Sequence, residues 1–174
     1  MQKHNNTCCF IGHRKVEDVE RIRIVVQRVV ERLIIERNIE TFLFGSRSEF
    51  NSICYEVVSI LKAKYAQIKR IYVRGEYQYI DDKYKEKYFL KGYEDSYLPN
   101  VCGVASRASY VERNREMIDK SNICVFYFDK NYEPERQVLS HRGVLPKHSS
   151  NVSGTRLAHD YAIKKHKEIV NVFE

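Results

Sequence analysis

Three short polar turns carry the side chains of this chain that can do chemistry: Gly12-His13-Arg14, Gly45-Ser46-Arg47-Ser48-Glu49 and Ser153-Gly154-Thr155. The first two each end an apolar run and open a helical pattern; the third opens the last helical pattern. Glycine lets a backbone turn tightly or approach a ligand, hydroxyls and free N–H groups at a helix start bind anions, and arginine matches a phosphate with a planar fork of donors. An imidazole beside them can bind phosphate or polarise a leaving group. Within the second turn, Ser46 is expected to cap the following helix while Glu49, three residues on, reaches back to complete a capping box. Arg47 then falls in the first helical turn, where it opposes the helix dipole and calls for an acidic partner, a ligand phosphate or a carboxylate. Glu49 is the best-placed catalytic carboxylate, provided that capping leaves it free.

These turns need a scaffold that gathers strand ends. Residues 7–11 read as a strand, and 16–37 as an amphipathic helix with Val19, Ile22, Val26, Val29, Val30 and Leu33 on one stripe. Residues 40–44 make a second strand, followed by a helix whose stripe is Phe50, Ile53, Cys54, Val57, Ile60 and Leu61; residues 68–73 make a third. Arg74 ends that strand, as a ligand contact or a solvated charge. A helix over 110–120 places Tyr110, Asn114, Met117 and Ile118 on one face, with Arg113 and Asn114 contacting ligand or forming a buried polar network. Residues 122–128 form a near-continuous apolar strand, a final helix buries Leu157, Ala158, Tyr161 and Ala162, and 169–172 close the chain as a strand. The alternation predicts an α/β fold: a Rossmann-like parallel sheet flanked by helices on both faces, with ligands at the carboxyl edge of its strands.

Two segments interrupt the pattern. Residues 75–109 concentrate Tyr77, Tyr79, Tyr84, Tyr88, Tyr93 and Tyr97 among charges, as a stacking surface or an insertion that covers the sheet edge; residues 129–152, with His141 and His148, read as a loop or lid. No Gly/Ser/Pro linker divides the 174 residues, which are expected to form one nucleotide-binding domain, 1–174, with those two irregular insertions. No apolar run is long enough for a membrane span, and the start lacks a signal-peptide core, so a cytoplasmic protein with no membrane partner is expected.

Five cysteines, Cys8, Cys9, Cys54, Cys102 and Cys124, are an odd number, and three of them sit in strand-like runs. That placement suits small buried side chains in a reducing compartment; with no CxxC or HExxH, no metal site and no cofactor are implied. A net charge of +7 favours an acidic partner without choosing among nucleotide, nucleic acid and protein.

Taken together, Cys8-Cys9-Phe10-Ile11-Gly12-His13-Arg14, the Gly45 turn, Arg113-Asn114 with Met117 and Asp119, and Ser153-Gly154-Thr155 with Tyr161-Ala162 resemble the SLOG superfamily, in a branch of small bacterial proteins that begin with a Cys-Phe-x-Gly-His-Arg signature. The resemblance spans nearly the whole chain and implies a Rossmann-like domain binding nucleotides or nucleotide-derived ligands, ADP-ribose-type signals among them. Related phosphoribohydrolases use a Gly-Gly-x-Gly-Thr-x-x-Glu motif; here the corresponding stretch, Ser153 to Ala158, has no glutamate. The Gly45 turn also departs, with bulk and charge where many relatives are small.

The leading expectation is binding of a nucleotide or ADP-ribose-like small molecule by Gly12, His13, Arg14, Gly45, Ser46, Arg47, Ser48, Arg74, Arg113, Asn114, Ser153, Gly154 and Thr155. The enzymatic alternative is N-glycosidic hydrolysis with Glu49 as the catalytic carboxylate. Third is binding of single-stranded nucleic acid, since the chain is basic and a DNA-uptake protein shares the superfamily. Self-association is left open.

Overall fold

β-branched and aromatic residues in Thr7–Gly12, Thr41–Phe44 and Ile123–Tyr127 leave almost no polar position on either face, so these strands can only lie in the middle of a sheet covered on both sides. A computed structural model, which describes residues 6–75, 83, 91–100, 107–134 and 152–174, shows that arrangement. Six strands, β1 (Thr7–Gly12), β2 (Thr41–Phe44), β3 (Lys69–Val73), β4 (Asp95–Tyr97), β5 (Ile123–Tyr127) and β6 (Glu168–Asn171), form one sheet in the order β4-β3-β2-β1-β5-β6. All five pairings are parallel, with Cys9 level with Leu43 on one side and with Cys124 on the other. The expected Rossmann-like α/β fold is therefore the observed one.

Alternation along the strands sends side chains to two cores. Helices α1 (Val19–Arg37) and α2 (Glu49–Lys64) cover one face, packing Ile22, Val26, Phe50 and Val57 on Cys8, Phe10, Phe42 and Val125. Helices α3 (Arg107–Lys120) and α4 (Gly154–Lys164) cover the other, where Met117, Ile118, Ala158 and Ala162 meet Cys9, Leu43, Cys124 and Phe126. Cys8, Cys9, Cys54 and Cys124 are free buried thiols, the role their setting predicts, and burial pushes Cys8 and Cys54 well above the usual thiol range. Strand order reverses beside β1, so the topological switch point lies between the carboxyl ends of β1 and β5.

Several local expectations need correction. The first helix starts at Val19, because Asp18 adopts a left-handed conformation (φ 52°) and its carboxylate caps Arg21 N–H. Strand β4 lies inside a segment read as irregular; its three residues, Asp-Ser-Tyr, carry no apolar run. Ile60 is 64% exposed and Leu157 36%, so neither stripe extends that far round its helix. On α3 the buried line is Ser109, Arg113 and Met117, at i, i+4 spacing, while Tyr110 is 44% exposed and Asn114 half-buried. Tyr77, Tyr79, Tyr84, Tyr88, Cys102, His141 and His148 lie outside the described residues. Among the described residues no helix is long and apolar enough to cross a membrane.

Candidate functional site

The carboxyl edge of the sheet is assembled from the turns after β1, β2, β3 and β5 and the first turn of α4. Each turn is held by bonds to its neighbours. After β1, His13 N–H donates to Tyr127 O (3.2 Å), Val16 N–H to Glu49 Oε2 (2.7 Å) and Glu17 N–H to the Tyr127 hydroxyl (3.0 Å). The Arg14 carbonyl accepts from Glu49 N–H (2.9 Å), and the Arg14 side chain is left exposed. Gly12 is a glycine for packing: a Cβ there would stand 2.3 Å from Phe50 Cδ1 and 2.9 Å from Phe50 Cβ.

The turn after β2 differs from its expected form. Ser48, not Ser46, is the N-cap of α2: its hydroxyl accepts from Asn51 N–H (3.1 Å), while Ser46 Oγ accepts from Ser48 N–H (3.0 Å). No Ser46–Glu49 capping box forms, because Glu49 is the first helical residue and its carboxylate reaches the turn after β1 instead. Arg47 consequently precedes the helix and is exposed, so the dipole argument for its partner lapses. Two amides of the first turn of α2, Glu49 N–H and Asn51 N–H, are taken by the Arg14 carbonyl and Ser48 Oγ. Gly45 meets a close approach from α3, with Met117 Sδ 2.6 Å and Arg113 Nε 2.8 Å from where a Cβ would lie.

Sequence reasoning passed over Asn51. It is 3% exposed, donates to Phe10 O (3.4 Å) and Ser48 Oγ (3.3 Å), and its Oδ1 accepts from Gly45 N–H (3.5 Å), so one amide ties β1, the β2 turn and α2 together. A polar residue one turn into an otherwise apolar helical stripe was the available signal. Arg113, 5% exposed, lies against Gly45 and Gly75 with its guanidinium donating to Asn114 Oδ1 (3.1 Å) and over the Tyr110 ring at 5.2 Å. Arg113 and Asn114 are thus bonded to each other, Arg113 buried and Asn114 half-buried. Arg74 closes β3, its N–H donating to Tyr97 O (2.8 Å).

Between the carboxyl ends of β2 and β3, on the α2 side, lies a groove of about 410 Å³, a volume in the range of small-molecule sites. Its described lining comprises Phe44, Tyr55, Tyr72 and Tyr93 as aromatic wall, with Ser46, Arg47, Asn51, Ser52 and Glu56 around it. The rings brace one another: Tyr55 and Tyr93 have centroids 4.9 Å apart, Tyr72 and Tyr93 5.4 Å, and the Tyr55 hydroxyl donates to Gly92 O (2.6 Å). Burial holds the Tyr93 phenol well above the usual range, so that ring presents a neutral face.

On the other side of β1, His13 fills the switch point. The ring is 2% exposed, stacks on Tyr132 at 3.9 Å and approaches Phe128 at 5.8 Å; Phe128 in turn stacks on His159 of α4 at 4.4 Å. Burial lowers the pKa of both imidazoles, the Asp129 carboxylate opposing at His13. Ser153 caps α4, accepting from Arg156 N–H (3.1 Å); Thr155 is buried, and among the described residues nothing lies within 4 Å of a Cβ placed on Gly154. The turn after β1 thus meets the β2 turn through Glu49 and the region of α4 through Phe128 and His159, so one sheet edge carries all three sequence turns. It can offer a ligand aromatic faces, hydroxyls and exposed arginines.

This is a Rossmann-like α/β protein with its polar turns on the carboxyl edge. Among solved structures it is similar to DNA processing protein A (DprA) from Streptococcus pneumoniae, with a TM-score of 0.54 and 11% identity over 94% of this chain and 48% of that one. It is also similar to DNA processing protein A from Helicobacter pylori, a structure that describes that protein's single-stranded DNA binding mode, with a TM-score of 0.52 and 15% identity over 94% of this chain and 63% of that one. The chain therefore spans less than two thirds of either protein, and at these identities the likeness is one of fold. No protein-family model matches the sequence, and no curated protein does.

Proposed function

We propose that this protein binds a nucleotide or ADP-ribose-like ligand along the carboxyl edge of its sheet, as a member of the SLOG group that its turns resemble. The observation that carries the reading is the groove between β2 and β3, in which a wall of Tyr55, Tyr72 and Tyr93 faces Ser46 and Arg47. Tyrosine faces stack on a base regardless of its identity, and a hydroxyl and a guanidinium beside them suit a ribose or phosphate. Arg14 supplies a second exposed cation at the adjoining strand end. In this reading Glu49 is a positioning residue: its carboxylate holds the turn that carries His13 and Arg14.

Calorimetry against nucleoside mono- and diphosphates and ADP-ribose tests the proposal. Binding to the full chain is expected, with roughly tenfold loss in Arg47→Ala. No binding across the panel overturns it, and unchanged affinity in Arg47→Ala removes that residue from the site. A second reading, single-stranded DNA, is favoured by the fold shared with a DNA processing protein whose single-strand binding mode has been described. Its mark is retention of an oligonucleotide that falls steeply with salt; salt-insensitive or absent retention excludes it.

A further inference from the structure

The tyrosine groove leaves the ring stack at the switch point unexplained. Tyr132 lies on His13 with ring centroids 3.9 Å apart and planes 21° apart, the shortest ring separation among the described residues. The turn that carries Tyr132 is local: Tyr132 N–H donates to Asp129 O (3.1 Å), Asn131 N–H donates to the Asp129 carboxylate (2.8 Å), and Lys130, Asn131 and Glu133 are exposed. Asp129 N–H donates to His13 Nε2 (2.9 Å). That nitrogen must therefore present its lone pair, which places the proton of the neutral ring on Nδ1. Nδ1 is buried and has no hydrogen-bond partner among the described residues. A buried donor left without an acceptor is costly and rare, and it calls for an explanation such as a partner that arrives later.

We propose that Tyr132 holds the place of a ligand base: binding swings its turn outward and lays a planar heteroaromatic ring on His13, where Nδ1–H meets an acceptor of that ring or its ribose. The inference rests on the nucleotide reading above and narrows it. The middle of the β1/β5 pair and the middle of the β2/β3 pair are two strand spacings apart, on the order of 10 Å. Arg14, Ser46 and Arg47 belong to the strand ends between them. Two aromatic positions with cations between them select a ligand with two bases joined through phosphate. A free dinucleotide and one step of a single strand share that chemistry.

Calorimetry on the full chain with AMP, adenylyl-adenosine and an oligodeoxyadenylate, repeated in Tyr132→Ala and Tyr132→Phe, tests the exchange. The dinucleotide is expected to bind roughly tenfold or more tighter than AMP, because the second base binds intramolecularly. Tyr132→Ala is expected to tighten it a further three- to tenfold, roughly, since the protein's own ring no longer competes, and Tyr132→Phe to leave it within about twofold. The same gain with the oligonucleotide identifies a strand as the source; a gain confined to adenylyl-adenosine identifies a free dinucleotide. Weaker or unchanged dinucleotide binding in Tyr132→Ala overturns the exchange while nucleotide binding stands. Binding of none of the three probes by either protein overturns both. If Tyr132→Ala does not fold, nitrogen NMR of the wild-type His13 ring decides: Nδ1–H must shift on saturation with dinucleotide, and an unmoved ring overturns the proposal.

Discussion

Replacing Gly12 with alanine separates a glycine kept for packing from one kept for a ligand. The added methyl would lie 2.3, 2.6 and 2.9 Å from Cδ1, Cγ and Cβ of Phe50, against an ordinary carbon contact of about 3.5–4.0 Å. Rotating the ring can relieve the first two contacts but not the third, so α2 or the end of β1 must move. Phe50 is fully buried and stacks on Tyr127 at 5.7 Å, and the Tyr127 hydroxyl holds the turn after β1. The displacement therefore spreads, which places Gly12→Ala near the top of the overpacking range, about 3 kcal/mol. At about 2–4 °C per kcal/mol for a chain of this size, the melting temperature should fall by roughly 6–12 °C without any ligand present. Urea unfolding followed by circular dichroism measures it, together with a cycle through Phe50→Ala, itself worth about 3–5 kcal/mol. In the Phe50→Ala background the two ring contacts are gone, only the contact to Cβ remains and the emptied space lets α2 settle, so the glycine substitution should cost less than about half as much, the coupling expected of residues in contact. Equal costs in both backgrounds, or none in the wild type, would refute the packing argument.

Two further outcomes concern stability. Glu49→Ala should destabilise the protein by about 1 kcal/mol, less than a buried charge-assisted bond because Glu49 is exposed, whereas Glu49→Gln keeps an acceptor for Val16 N–H and should cost less than half of that. Denaturation midpoints of the two variants check this, and equal losses count against a positioning role. Stability should also fall in two stages as pH drops. His13 and His159 have lowered pKa values in the folded protein, so below about pH 6.5 the unfolded chain takes up more protons and folding weakens, most steeply in weak acid. Glu168 and Glu31 are lowered by Arg37 and Lys64, so their contribution is intact above about pH 4.5 and is lost below it as they protonate. Melting temperatures from pH 7.5 to 3 should show both stages, with His13→Gln and His159→Gln together flattening the upper one.

The sheet was legible because its central strands are apolar almost throughout and each helix between them repeats its apolar residues at helical spacing. What escaped was what chain neighbours cannot reveal. Ser46 and Ser48 are equally good caps by type, and the choice between them rests on Glu49 being drawn across to Val16, 33 residues earlier. β4 is three residues long and held by its pairing with β3, through Ile71–Asp95 and Val73–Tyr97, rather than by its own composition. Tyr132 and Phe128 lay in or beside a segment read as a loop, and nothing local says that their rings meet His13, more than 110 positions away. Turns whose chemistry is local could be read from the sequence; the partners that give each its shape could not.

The central place of β1 also bears on how the chain is made. Cys8 to Gly12 pair with Ile123 to Tyr127, so one edge of the middle strand waits for a partner synthesised more than 110 residues later. At about 5–20 residues per second, that interval is on the order of ten seconds. Through it, the β1–β3 half exposes an apolar edge and the bare far face of its strands, the exposure that invites chain-to-chain pairing. On the ribosome, this protein is therefore a natural client for holding factors until β5 emerges.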